Sequence, residues 1–322
     1  MADTSAPYKF VDELWTLLDR SVAPRAEKRL AAFIRQRNVS KWIIATDFCI
    51  ADQSRPHDSF AFVIFPAGDE FDATQQLLQR GPRRDLKSVK RIPSSLRRML
   101  HKGRVFSFCF IADRKRRLFL DAKVARASIE ESIAMMQRWE NADGHRETIR
   151  RFRSMLTEAQ KKSVSTKLLT DIIISAALIA YLVTLLCRHG KVELVGWVPD
   201  RDKITEAYGG IAVTMFSLNV SALCERQGIS EPKLGIFSQT SENPWCDPYI
   251  RIADYIAGAG AAIDSSMKVN SEKILHLIMD CFADNPYLFP FKISFSHSAG
   301  PFNMSMARVL ISRHRAQRRK TS

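Results

Sequence analysis

Between residues 8 and 37, apolar side chains recur at helical spacing: Phe10, Leu14, Leu17 and Leu18, then Leu30, Phe33 and Ile34. The period predicts two amphipathic helices parted near Pro24. From residue 42 the pattern changes to continuous apolar runs. Residues 42–50 and 60–65 are separated by a polar stretch, 52–58, and Pro66 closes the second run, so the two predict a hairpin. Residues 104–112 carry a third strand run, ended by the charged turn Asp113-Arg114-Lys115-Arg116-Arg117. The stretch between the second and third runs is mixed and basic, with helical pieces at 74–78 and 94–100.

The second half of the chain alternates differently. Residues 121–163 are helical in pattern and polar. Residues 168–187 read LLTDIIISAALIAYLVTLLC, and the part free of charge, 172–187, has 16 residues. That is slightly short for a membrane span, and a strand follows two residues later, so a buried core helix is expected and no membrane span. Residues 192–198 form a fourth strand run ending in Pro199-Asp200-Arg201-Asp202. A helix at 206–225, a short strand at 234–237, a helix opened by Asp247-Pro248 and running to 263, and a helix at 271–282 follow. An extended piece at 289–295 and a basic tail complete the chain.

Three consecutive strands favour an antiparallel meander, and the later strand–helix–strand units favour right-handed parallel crossovers. One mixed five-stranded sheet flanked by helices satisfies both, an α/β arrangement that is RNase H-like. The expected organisation is a helical N-terminal extension (1–40), an RNase H-like domain (41–265) with a basic insertion at 68–104, and a C-terminal helix, extended segment and basic tail (266–322).

Charge sharpens this picture. The chain has 322 residues, 46% of them hydrophobic, with a formal net charge of +15 and a pI near 9.8. Such a field attracts polyanions, nucleic acid first and an anionic membrane surface second. Ten basic side chains lie between 80 and 104: Arg80, Arg83, Arg84, Lys87, Lys90, Arg91, Arg97, Arg98, Lys102 and Arg104, opposed only by Asp85. Arg114, Lys115, Arg116 and Arg117 form a second cluster, and Arg313, Arg315, Arg318, Arg319 and Lys320 a third. Arginine suits bidentate phosphate contacts, so the first two clusters are expected to track an RNA or DNA backbone with little regard to sequence. The competing reading is a solvated face without a ligand.

Six cysteines show no Cys-x-x-Cys pair, and several sit in apolar runs, which points to a reducing cytoplasm rather than a disulfide scaffold. Lys9, Asp12, Glu13 and Asp19 interrupt any apolar leader, so no signal peptide is expected. Phosphate-loop, dinucleotide-binding, serine-hydrolase and zinc-protease motifs are all absent, and Gly209-Gly210 reads as a helix irregularity.

Three carboxylates stand where charge is locally unexpected. Asp47 interrupts the first apolar strand, Asp200 follows the carboxyl end of the fourth, and Asp254 lies in a helix apolar nearly all round, Ile250 to Gly258. Ligands of open α/β sheets gather at the carboxyl ends of parallel strands. Carboxylates brought together repel unless a cation intervenes. Mg2+ (or Mn2+) takes such oxygen ligands, and two ions about 4 Å apart can activate water on a phosphodiester. A metal-dependent nuclease follows as an expectation. Other readings stand beside it: Asp47 bonded to a turn or an Arg, Asp200 opening a turn, and Asp254 paired with Arg251. Asp202 is read foremost as a helix cap and secondly as a ligand. Asp171, in the first turn of the apolar helix, suits the helix dipole and is the best fourth ligand. Asp247 reads as an N-cap.

The Asp-bearing first strand and hairpin, the buried helix before Pro199-Asp200-Arg201-Asp202, and Ile252-Ala253-Asp254-Tyr255-Ile256-Ala257-Gly258 resemble a bacterial family, the RNase H-like domain-of-unknown-function 3800 family. The resemblance covers roughly residues 41 to 265. It implies Asp47, Asp200 and Asp254 as an acidic site, and a nucleic-acid-processing or defence-associated role with a possible protein partner. That family carries Asp-Glu-Ser-Gly at its first motif, whereas Asp47 is followed here by Phe48, Cys49 and Ile50. The alternative function is therefore a non-catalytic nucleic-acid-binding or scaffold protein that keeps the fold.

Overall fold

The computed structural model describes residues 6–68, 71–119, 121–139, 145–160, 165–237, 244–264, 269, 271–296 and 303–313. In chain order the elements are α1 (Ala6–Ser21), α2 (Lys28–Arg37), β1 (Lys41–Cys49), β2 (Asp58–Pro66), α3 (Phe71–Gln79), α4 (Ser94–His101), β3 (Phe106–Ala112), α5 (Ala122–Met136), α6 (Arg146–Gln160) and α7 (Thr166–His189). They continue with β4 (Leu194–Pro199), α8 (Lys203–Gln227), β5 (Lys233–Ile236), α9 (Asp247–Gly260), α10 (Glu272–Leu277), β6 (Leu288–Ser296) and β7 (Asn303–Arg308). The chain divides into two compact units. One, the helical unit, holds Met1–Leu18, Lys115–Thr184 and Arg201–Glu231; the other, the sheet unit, holds Asp19–Arg114, Leu185–Asp200 and Pro232–Ser322.

In the sheet unit, the apolar runs become strands buried on both faces, as their lack of alternation implies. Every residue of β2 and of β3 is buried. The sheet is mixed and runs β5-β4-β1-β2-β3-β6-β7. β1–β2 and β2–β3 are antiparallel, and β4 lies parallel between β1 and β5. The expected count of five strands is corrected to seven. β6 joins β3 in parallel and β7 returns antiparallel to β6. The stretch expected to be a mere extended piece is a strand because Phe289, Phe291 and Ile293 alternate onto one buried face. β7 is an edge strand alternating exposed and half-buried positions, poor in β-branched and aromatic residues, so its apolar signal is weak. Of the tail cluster only Arg313 lies within the described residues.

α9 covers one face of this sheet, where Ile252, Ala253 and Ile256 meet Ile43, Ala45, Val63 and Val198 in one core cluster. Its approach is close because its last turn is made of Ala and Gly. A Cβ on Gly260 would fall on Cys109 Sγ and within 3.5 Å of Ser59 Cβ. Ser59 Oγ donates to Ala257 O at 2.6 Å, tying the helix end to β2.

In the helical unit, α7 is the core helix its composition predicts. By length and composition α7 and α8 are both apolar enough to cross a membrane, yet 89% of the α7 window is buried inside the protein, against 39% for α8. Asp202 caps α8: its Oδ1 accepts from Ile204 N and Thr205 N at 2.9 Å, and Thr205 Oγ1 accepts from Asp202 N in return. α8 breaks over residues 207–210, with φ of 52° at Tyr208, 67° at Gly209 and 74° at Gly210. The glycine pair supplies the left-handed backbone at this kink.

Candidate functional site: a carboxylate pocket at the ends of β1 and β4

Strand register brings the first two predicted carboxylates together. β1 and β4 are parallel, with Thr46 opposite Pro199. Asp47 and Asp200 are the next residues on each chain. The Asp200 N–H donates to Thr46 O at 3.0 Å, so the pairing carries on past the last strand residue. Alternation puts Asp47 on the face of Ile43 and Ala45, the face covered by α9. α9 carries the third, Asp254, to the same place. Asp47, Asp200 and Asp254 line one pocket of about 410 Å3.

The sequence pattern misses several members of this pocket. Asp52, Asp85 and Asp247 add acidic groups, and Arg55, Lys87 and Arg251 add cations. Asp247 is corrected from N-cap to a first-turn residue, since Cys246 holds the cap position. Its carboxylate accepts from Arg251 at 3.2 Å, and Asp85 lies 3.8 Å from the same guanidinium. Arg251 is thus engaged by Asp247 and Asp85 rather than by Asp254.

Asp254 is half-buried, and its Oδ2 accepts the Leu86 N–H at 2.6 Å. Burial pushes its carboxyl above the usual range, and the Asp85 and Asp200 charges push it the same way, while the Leu86 hydrogen bond and Lys87 oppose. The Cys49 thiol is pushed up to about 12, chiefly by burial and then by Asp52, so it stays a thiol at neutral pH. The Asp47 carboxylate accepts the following backbone N–H, that of Phe48, at 2.6 Å.

Two of the predicted ligands serve other ends. Asp171 is 2% exposed and lies 2.5 Å from the fully buried guanidinium of Arg116 and 2.9 Å from Lys167 Nζ. Charges withdrawn from water need such pairing, so Asp171 belongs to an ion-pair cluster in the helical unit. Arg116 is corrected with it: a side chain without exposure does not meet a nucleic-acid backbone. Asp202 is occupied as the α8 cap.

The remaining basic residues keep their predicted setting better. All ten of the 80–104 cluster are exposed, as are Lys115 and Arg117, while Arg114 is half-buried and donates to Arg55 O. The start of this cluster is fastened to α9 beside the carboxylates. Tyr255 Oη donates to Arg84 O at 3.1 Å, and Lys273 Nζ donates to Leu86 O and Val89 O. Further along, Arg97, Arg98, His101, Lys102 and Arg313 line a second cavity of about 490 Å3, although Arg97 lies 3.8 Å from Asp280.

The pocket suits a divalent cation in donor type, because its oxygens are hard and Asp254 carries an excess of like charge that a cation would offset. Among the described residues no group of three His, Cys, Asp or Glu stands ready to hold a metal ion. Mg2+ does not need an all-protein cage: it commonly binds through one or two carboxylates together with substrate phosphates. Asp200 and Asp254, whose charges repel, line the same pocket and supply oxygens of that type. No protein-family model, no curated protein and no solved structure matches this chain.

Proposed function

We propose that this protein is an RNase H-like, metal-dependent nuclease that acts on phosphodiester backbones. The observation that carries the reading is the convergence of Asp47, Asp200 and Asp254 on one pocket at the carboxyl ends of adjacent parallel strands. The sheet order adds support. Its β3-β2-β1-β4-β5 portion, an antiparallel meander with two parallel strands beside β1, is the order expected of an RNase H-like sheet, with β6 and β7 beyond it.

In this reading Arg83, Arg84, Lys87, Lys90 and Arg91 hold the strand by its phosphates, and the tie between Leu86 N and Asp254 sets the start of that loop against the pocket. Lys87 and Arg55, which line the pocket, meet the phosphate being cut. Asp200 and Asp254, with Asp47, would hold Mg2+ or Mn2+, which when bound supplies a Lewis acid and an activated water. The raised Asp254 carboxyl is the one a bound cation would draw back toward its ionised form.

A second reading, nucleic-acid binding without cleavage, is favoured by the lack of a ready three-ligand group among the described residues and by Phe48 following Asp47. One experiment separates the two: cleavage of labelled RNA, DNA and hybrid strands with Mg2+ or Mn2+, wild type against Asp200→Asn. Metal-dependent cleavage lost in the variant supports the nuclease. Binding without cleavage in both proteins supports the second reading. No binding, or affinity that does not fall with salt, removes both.

A further inference from the structure

The helical unit carries a half-open cavity that the carboxylate pocket does not account for. It measures about 780 Å3 and is walled mostly by apolar groups, among them Trp15, Met135, Trp139, Met155 and Met215. It falls within the range of small-molecule sites. The methionines give a wall that adapts to its occupant, and the tryptophans give flat apolar area.

One polar group in the wall points to what the occupant carries. Ser128 on α5 is 2% exposed, and its Oγ has no hydrogen-bond partner among the described residues. Its neighbour Ser132 is satisfied, donating to Ser128 O at 2.8 Å. A buried hydroxyl without a partner is destabilising unless something completes it. The charged side chains lining the cavity, Asp12, Arg138 and Glu225, are all exposed, with Asp12 paired to Arg226 at 3.2 Å, and His145 is half-buried. Nothing in the buried wall calls for a charged ligand.

We propose that this cavity binds an uncharged, mainly apolar small molecule with one hydroxyl or carbonyl group, which bonds Ser128 Oγ. A compact aromatic alcohol is the simplest probe of that chemistry. Titration calorimetry of the full chain with naphthol and with naphthalene reads both parts of the claim. Saturable binding of naphthol is expected. Ser128→Val weakens naphthol roughly tenfold, the worth of one buried hydrogen bond, and leaves naphthalene unchanged. Met135→Trp with Met215→Trp adds bulk from two walls of the cavity and weakens binding of both probes while the protein stays folded by circular dichroism. Absence of saturable binding by the wild type, or binding of both probes untouched by the double tryptophan variant, overturns the site. A Ser128→Val loss that is equal for the two probes overturns the anchor.

Discussion

Asp171 and Asp254 each sit on a largely apolar helix, and burial pushes both carboxyls above the usual range. Their surroundings then diverge. Asp171, in the helical unit, has Arg116 and Lys167 within ion-pair distance, and both pull its carboxyl back down. Asp254, in the sheet unit, has Asp85 and Asp200 as neighbours, and these push it further up. One carboxylate is compensated by the protein itself. The other is left with surplus negative charge facing a pocket. That is the difference between a carboxylate paired within the protein and one whose acidic neighbours face a pocket, and it separates the two predicted metal residues that look alike in sequence.

The strongest way to break this comparison is to remove the compensated partner. Asp171→Ala leaves the Arg116 guanidinium buried without its main counter-charge, and a loss of about 3–5 kcal/mol is expected in urea unfolding. Replacing both, Arg116→Met with Asp171→Leu, should recover most of that loss, because well-packed apolar groups often substitute for a buried pair. A single variant that unfolds like wild type would mean that solvent or another acidic side chain compensates Arg116.

A smaller effect is expected where α9 meets the sheet. Gly260→Ala sets a methyl group against Cys109 and Ser59, both fully buried, and overpacking of this kind costs about 1–3 kcal/mol. The same shift displaces the helix that carries Asp254. Cleavage, measured on the folded fraction, should therefore fall in Gly260→Ala even though no charge has changed. Unaltered cleavage alongside lost stability would separate the helix position from the pocket.

Much of the sheet is legible in the sequence because its apolar runs are long and its turns polar. Asp47 and Asp200 are legible for a related reason: one is a charge inside such a run and the other a charge just past its end. Arg116 is not. It stands among Asp113, Arg114, Lys115 and Arg117, and nothing local marks one member of that run as pointing inward. The parts of the pocket contributed by Asp85 and Leu86 are equally hidden, since the bond from Leu86 N to Asp254 spans 168 residues and no periodicity encodes it. β7 escapes because its half-buried face carries only Met304, Met306 and Arg308, none of them β-branched or aromatic, so nothing marks it as a strand.

The smallest expected effect tests the uncompensated partner through its pH dependence. A carboxyl whose pKa is higher folded than unfolded binds its proton more tightly in the native state. Its contribution to stability is therefore complete below the unfolded value, near 3.9, and is lost as pH rises through the folded one. At neutral pH the ionised Asp254 weakens the fold. Asp254→Asn keeps an oxygen to accept the Leu86 N–H and removes the charge that Asp85 and Asp200 repel. A gain of less than about 1 kcal/mol at neutral pH is expected, shrinking as pH falls into the carboxylate range. Asp171→Asn, in contrast, should lose stability at neutral pH, because Arg116 then lacks its counter-charge. If Asp254→Asn gains equally at acid and neutral pH, packing and not charge is responsible. If it loses stability at neutral pH, Asp254 is compensated by a cation of the protein, and the pocket has no surplus charge left for a metal.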